Sequence, residues 1–228
     1  MDKSEKKGDL TLLQRIVLLA LDDKGWFGPS EHKLKFGLVG AILFELHERG
    51  RIRLQNDKVV VLNAKSTDDV ILDRVLNVIK SGKKEHSLRW WIQRIAYKKL
   101  LLRKTVLKQL IQKKIISREE YSLMVVFYQT KFPLINPALK KQLQESLGEK
   151  LLSGGMLDNE EMMLLVVMST CRMIRKNFRG SLQYLKVRAR INEIVQFRIP
   201  GNESEMVMKN LHLAINRAIM ASNVSLHV

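Results

Sequence analysis

SLMVVFYQTKFPLINP, residues 122–137, decides how this chain is read. Pro133 and Pro137 forbid one continuous helix through it, and Val125, Val126, Phe127, Tyr128 and Thr130 favour extended backbone, so it reads as a short β-hairpin or apolar finger. Before it lies an amphipathic basic helix over residues 88–116, carrying Lys98, Lys99, Arg103, Lys104, Lys108, Lys113 and Lys114. After it Pro137 opens a second basic helix, continued by Lys140 and Lys141. An apolar finger between cationic helices has the chemistry of a membrane contact. A core hairpin beside solvated basic helices is the competing reading, and on these residues alone the two weigh about equally.

Working outward, residues 1–9 read as a charged, disordered tail, and residues 10–228 as one domain with no internal repeat and no low-complexity linker. Residues 11–21 are apolar all round, which places that helix in the centre of a core. The loop over residues 22–30 turns through Gly25, Gly28 and Pro29 while carrying Trp26 and Phe27; burial of Trp26 in the core is expected over a membrane-facing role. Residues 33–49 form the next helix, in which Gly37 and Gly40 admit close approach of a neighbour and which Gly50 ends. Residues 51–54 and 58–62 flank Gln-Asn-Asp and predict a hairpin. Ser66 or Thr67 begins a helix that Gly82 closes. Ser117 with Glu120 has the spacing of a capping box. Helices are expected over residues 138–152, over 160–176 after an Asp158 cap, over 182–197, and over 204–221 beyond Pro200 and Gly201. Met162, Met163, Met168 and Met173 read as gap-filling core. The fold class is therefore mainly α: a single helical domain with a core of apolar helices and two short β-hairpins.

An apolar content of 46% with 28% charged residues is that of a folded chain. The net charge of +17 and a pI near 10.1 point to polyanionic partners, either nucleic acid or an anionic lipid surface. The one cysteine, Cys171, sits in an apolar run and suits a reducing cytosol. No signal peptide is visible, and the longest apolar run, residues 162–171, is about half of the roughly twenty residues a spanning helix needs.

Catalytic signatures are absent from the sequence. The histidines at 32, 47, 86, 212 and 227 are scattered, and Glu45 with Glu48 reads as helical surface charge; no enzyme activity, metal or cofactor is expected. The rival class is a winged-helix-like nucleic-acid-binding protein, because a helix ending at Gly50 precedes a hairpin. Against it, GLVGAILFEL (residues 37–46) is apolar on nearly every side, whereas a groove-reading helix presents polar side chains.

Four segments in order, LTLLQRIVLLALDD (10–23), GLVGAILFELHERGRIRL (37–54), STDDVILDRVL (66–76) and FYQTKFPLIN (127–136), resemble the Golgi phosphoprotein 3 family from about residue 10 onward. That resemblance implies a mostly helical, non-enzymatic, cytoplasmic peripheral membrane protein that binds phosphatidylinositol 4-phosphate. It also implies an apolar hairpin that inserts and makes homo-oligomer contacts, and protein clients in the form of membrane-enzyme tails. Two of the family's headgroup positions, a Trp and an Arg, fall on Ser30 and Val39 here; of an Arg pair, one falls on Leu100 and the other is kept as Arg103. The expected headgroup residues are therefore Arg103, Lys98 and Lys99 with Lys33 and Lys35, which would hold an anionic headgroup less selectively. The expected inserting residues are Phe127, Tyr128, Phe132, Pro133 and Leu134.

Overall fold

The structure is a computed structural model; it describes residues 10–28, 31–55, 57–82, 84–98, 100–124, 127–179, 184–196 and 203–224, with side-chain surroundings left undescribed at 122–128 and 223–224. The expected tail and the break at Pro200 and Gly201 lie outside these residues. The described elements are α1 (Leu12–Ala20), α2 (Glu31–Glu48), β1 (Ile52–Gln55), β2 (Lys58–Val61), α3 (Val70–Lys80), α4 (Leu88–Tyr97), α5 (Leu102–Gln112), β3 (Glu119–Met124), β4 (Phe127–Lys131), α6 (Pro137–Ser153), α7 (Asn159–Thr170), α8 (Ile174–Phe178), α9 (Tyr184–Val195) and α10 (Glu203–Val224).

Helix α2 is the axis of the molecule: α1, α3, α4, α5, α7, α10 and β1 all pack on it. From Phe36 to Phe44 every residue is buried, which its apolar composition requires. A helix so enclosed cannot enter a nucleic-acid groove, so the winged-helix arrangement does not form. Gly37 and Gly40 do bring neighbours close: a Cβ at Gly37 would lie 2.7 Å from Cys171 Sγ, and one at Gly40 would lie 2.4 Å from Ile215 Cδ1. Met163, Met168 and Met173 fill the core around them. Burial pushes the Cys171 thiol up to about 12, so it is inert.

Both expected hairpins form. β1 pairs antiparallel with β2 from Ile52↔Val61 to Gln55↔Lys58, and β3 pairs with β4 from Glu119↔Lys131 to Met124↔Phe127, with a register shift between Ser122 and Met124. Four local readings are corrected. The basic segment is two helices, not one: Lys98 ends α4, and Leu101 takes a left-handed φ of 53° before α5. One straight helix over residues 88–116 would span about 43 Å, wider than a domain of this size, and the break lets both halves pack on α2. Ser117 caps no described helix; its N–H donates to Pro133 O at 2.9 Å, because the apolar, β-favouring run beyond Glu120 pulls Glu119 and Glu120 into β3. Asp69, not Ser66 or Thr67, caps α3 by accepting from Ile71 N and Leu72 N, while both hydroxyls donate to Asp73. Helix α7 likewise stops at Thr170, and Arg172 at φ 57° separates it from α8.

The end of α1 is capped by side chains from a distance. Asn177 Nδ2 donates to Leu19 O at 3.1 Å, Lys176 Nζ to Ala20 O at 2.7 Å and Lys140 Nζ to Leu21 O at 2.9 Å. Helix-end carbonyls carry partial negative charge, so two ammonium groups there are well placed. Lys140 also pairs with Asp23 at 2.9 Å, and this buried structural role replaces the surface charge expected of it.

At the other end of α2, Glu45 is 13% exposed and its Oε1 is buried with no partner among the described residues, while Oε2 lies 3.5 Å from Arg49. Burial, with Asp69 and Glu160 nearby and only Arg49 opposing, pushes its carboxyl up to about 7. The folded state therefore prefers the protonated form: that stabilisation is complete below about pH 4.5 and lost as pH rises through about 7. Glu45→Gln is expected to raise stability at pH 8 by about 1–3 kcal/mol and to change little at pH 5, which denaturant melts at the two pH values will show.

Candidate functional site

The loop between α1 and α2 is tied to the root of the β3–β4 finger. Asp22 Oδ1 accepts from Lys24 N–H and Trp26 N–H, a tight turn that requires Gly25 at φ 83°. Gly25 O then accepts from Phe132 N–H at 2.8 Å. Trp26 is half-buried, its ring 6.2 Å from that of Tyr121 on β3, so it braces the finger where core burial was expected. Tyr121 in turn accepts from Lys131 Nζ at 2.7 Å, and Glu119 accepts from the same ammonium at 2.9 Å.

Phe27 joins the finger to the basic surface. Its ring meets Phe132 edge-on at 6.0 Å between centroids, and the Arg103 guanidinium sits 4.8 Å over it. Arg103, 40% exposed, also pairs with Glu31 in the first turn of α2. One turn along the same face of α2, Lys35 Nζ lies 3.9 Å over the Tyr97 ring of α4, and burial pushes its pKa down. Lys98 stands exposed at the end of α4, between Tyr97 at 57% exposure and Leu101 at 60%. Lys104 and Lys108 line the exposed face of α5. Three elements thus bring Arg103, Lys98 and Lys35 to one surface, with two exposed apolar side chains among them.

Other candidates fall elsewhere. Lys33 is buried, and its main-chain carbonyl lies 3.5 Å from the donor Cys171 Sγ. It lies two residues past Glu31, about 200° around the helix, and so faces α7 where Lys35 faces α4. Lys99 and Ser30 lie outside the described residues. Val39, on the Glu31–Lys35 face, is fully buried, and Leu100 packs against the core. Phe132, Pro133 and Leu134 belong to the finger's root, not its tip: they are half-buried, and Leu134 bridges Ile116. They follow β4 in the chain, where the strand pair re-enters the domain. Phe127 and Tyr128 are placed in β4, with side chains outside the described residues. Glu31, Phe27 and Tyr97, which contact Arg103 and Lys35, were not among the residues expected from sequence. Only the Phe27 aromatic in a glycine-rich turn was a signal; the pairings across 72 residues were not.

Among the described residues no group of three or more His, Cys, Asp or Glu is placed to hold a metal, and no helix is long and apolar enough to cross a membrane. A sequence comparison finds 26% identity over 162 residues with vacuolar protein sorting-associated protein 74 of Schizosaccharomyces pombe, covering 62% of this chain and 48% of that protein. The chain thus spans about half the length of this curated relative. The family profile described as Golgi phosphoprotein 3 (GPP34) matches residues 12–218, nearly the whole folded domain, so the chain belongs to the Golgi phosphoprotein 3 family.

Proposed function

We propose that this protein is a peripheral, Golgi-type membrane protein that docks on anionic phospholipid through Arg103, Lys98 and Lys35, with the finger beside them. Its work is recognition, not catalysis. The observation that carries the reading is Phe27, gripped by Arg103 on one side and by Phe132 of the finger root on the other. That shared ring puts the cationic surface and the apolar finger next to each other, which is what a lipid surface with charged headgroups above an apolar layer rewards. Family membership supports the Golgi setting. Phosphatidylinositol 4-phosphate is the headgroup that the resemblance favours. The buried Val39 supports looser selectivity, because an apolar side chain there leaves Arg103 as the strong phosphate ligand.

Glu31 is the internal competitor for that guanidinium. A phosphate must share or displace the Glu31 carboxylate, so the two partners have opposite signatures. Arg103→Ala is expected to weaken binding to vesicles containing phosphatidylinositol 4-phosphate, and Glu31→Gln to strengthen it, each by about fivefold for a half-exposed pair. Vesicle flotation of the two variants checks this. Equal binding by both variants and the parent protein would remove Arg103 from the site.

A further inference from the structure

Helix α4 carries an exposed stripe of which the docking surface uses only one end. Leu88, Trp91, Ile92 and Ile95 turn inward and are buried. On the opposite side Trp90, Arg94 and Tyr97 stand at i, i+4 and i+7, within about 60° of one another around the axis. Trp90 is 37% exposed, and Tyr97 and Leu101 are more exposed still. The Trp90 ring is held in place: His86 stacks on it at 3.6 Å between centroids, Trp91 meets it at a steep angle at 4.8 Å, and the Arg94 guanidinium lies 6.0 Å from its centroid. From the other end of the stripe a series of contacts runs to the finger. Tyr97 lies under Lys35, Lys35 stands one turn from Glu31, Glu31 pairs with Arg103, and Arg103 sits over Phe27, which meets Phe132. Trp90 is about 10 Å further along α4 from Tyr97. No Asp or Glu occurs between Glu85 and Glu119, and Glu85 is committed to Lys58 at 3.0 Å. Arg89, Arg94 and Lys98 form no ion pair among the described residues.

An indole and a phenol set among unpaired cations, with no acid in the segment, complement an anionic lipid surface. Such rings settle at headgroup level, apolar body inward and polar tip in the wet layer, while the cations meet the headgroups. Single-stranded nucleic acid would accept the same charge, but base stacking needs a free ring face and His86 already stacks on Trp90. We propose that α4 lies in the headgroup layer of an anionic bilayer, with Trp90, Arg94 and Tyr97 as its contact residues. The membrane footprint then extends from the finger, past Arg103, to the start of α4. This inference rests on the docking surface proposed above and names where else that surface meets lipid.

Trp90 is its own probe. Tryptophan emission of the full chain is recorded with vesicles of phosphatidylcholine and phosphatidylserine carrying phosphatidylinositol 4-phosphate, with and without bromine on the acyl chains near the headgroup. The difference between wild type and Trp90→Phe isolates the Trp90 signal, because Phe keeps a ring against His86. That signal is expected to shift to the blue and to be quenched by the brominated lipid. In flotation, Trp90→Ala is expected to bind the same vesicles about fivefold more weakly at low and at physiological salt alike, since salt does not screen apolar contact. The quenching arm uses only proteins with a ring at position 90, so it decides the matter if Trp90→Ala fails to fold. Flotation of wild type with a Trp90 signal that neither shifts nor is quenched overturns this inference and leaves the docking surface standing; undiminished flotation of Trp90→Ala does the same. A wild type that floats on none of these vesicles removes the docking surface and this inference with it. A Trp90 signal that responds to polyglutamate or DNA but not to vesicles also overturns it, and assigns the stripe to a soluble polyanion.

Discussion

Gly25→Ala is expected to destabilise the protein by about 2–5 kcal/mol. Two terms add. Gly25 sits at φ 83°, where an L-residue with a Cβ costs about 1–2 kcal/mol. Its Cβ would also lie 2.4 Å from Phe132 C and Pro133 N, backbone atoms that cannot rotate away as a side chain can. Overpacking of that kind costs typically about 1–3 kcal/mol. For a chain of 228 residues the sum corresponds to a fall in Tm of about 5–15 °C. Because the clash lies between the loop and the finger root, amide hydrogen exchange should rise first in β3 and β4 while α2 and α7 stay protected. Uniformly faster exchange, with the finger no worse than the core, would show that the loop does not hold the finger.

The second large effect is Phe132→Ser. Read from sequence, Phe132 was a membrane-inserting residue, and its loss would have spared the fold. In the structure its ring is half-buried against Phe27 and the core, so removing it opens a void and strips a ring contact. Full removal of a core aromatic costs about 3–5 kcal/mol, and partial burial scales this to about 2–4. The variant is expected to lose vesicle binding only as far as it loses structure. A variant that melts like the parent yet no longer floats would return Phe132 to the membrane-inserting set.

What the sequence made legible was whatever depends on local pattern. The apolar run at 37–46 marked a fully enclosed helix, the two glycines in it marked close approach, and residues 122–137 marked the finger. Long-range geometry was not legible. Nothing in the basic segment announces Leu101 in a left-handed conformation, because the break is imposed by the need to pack both halves on α2. Lys33 and Lys35 looked equivalent on paper, yet a two-residue step puts them on opposite faces of the helix. Arg103 was singled out through the family's motif, whereas its partners Glu31 and Phe27, from helix and loop far away in the chain, needed coordinates. Lys140 shows the converse: a residue read as surface charge is buried, capping α1.

The central claim is that charge and the finger act together on an anionic membrane, and vesicle flotation across a salt series tests it most directly. Neutral vesicles, vesicles with a general anionic lipid, and vesicles with phosphatidylinositol 4-phosphate are compared at low salt and at roughly 150 mM, where exposed charges are screened over about 8 Å. The protein, at +17, is expected to float with both anionic sets and not with the neutral one, to lose most binding to the general anionic lipid as salt rises, and to keep more on phosphatidylinositol 4-phosphate. Equal flotation on neutral and anionic vesicles, or no flotation on any while a DNA complex survives at the same salt, would contradict the account.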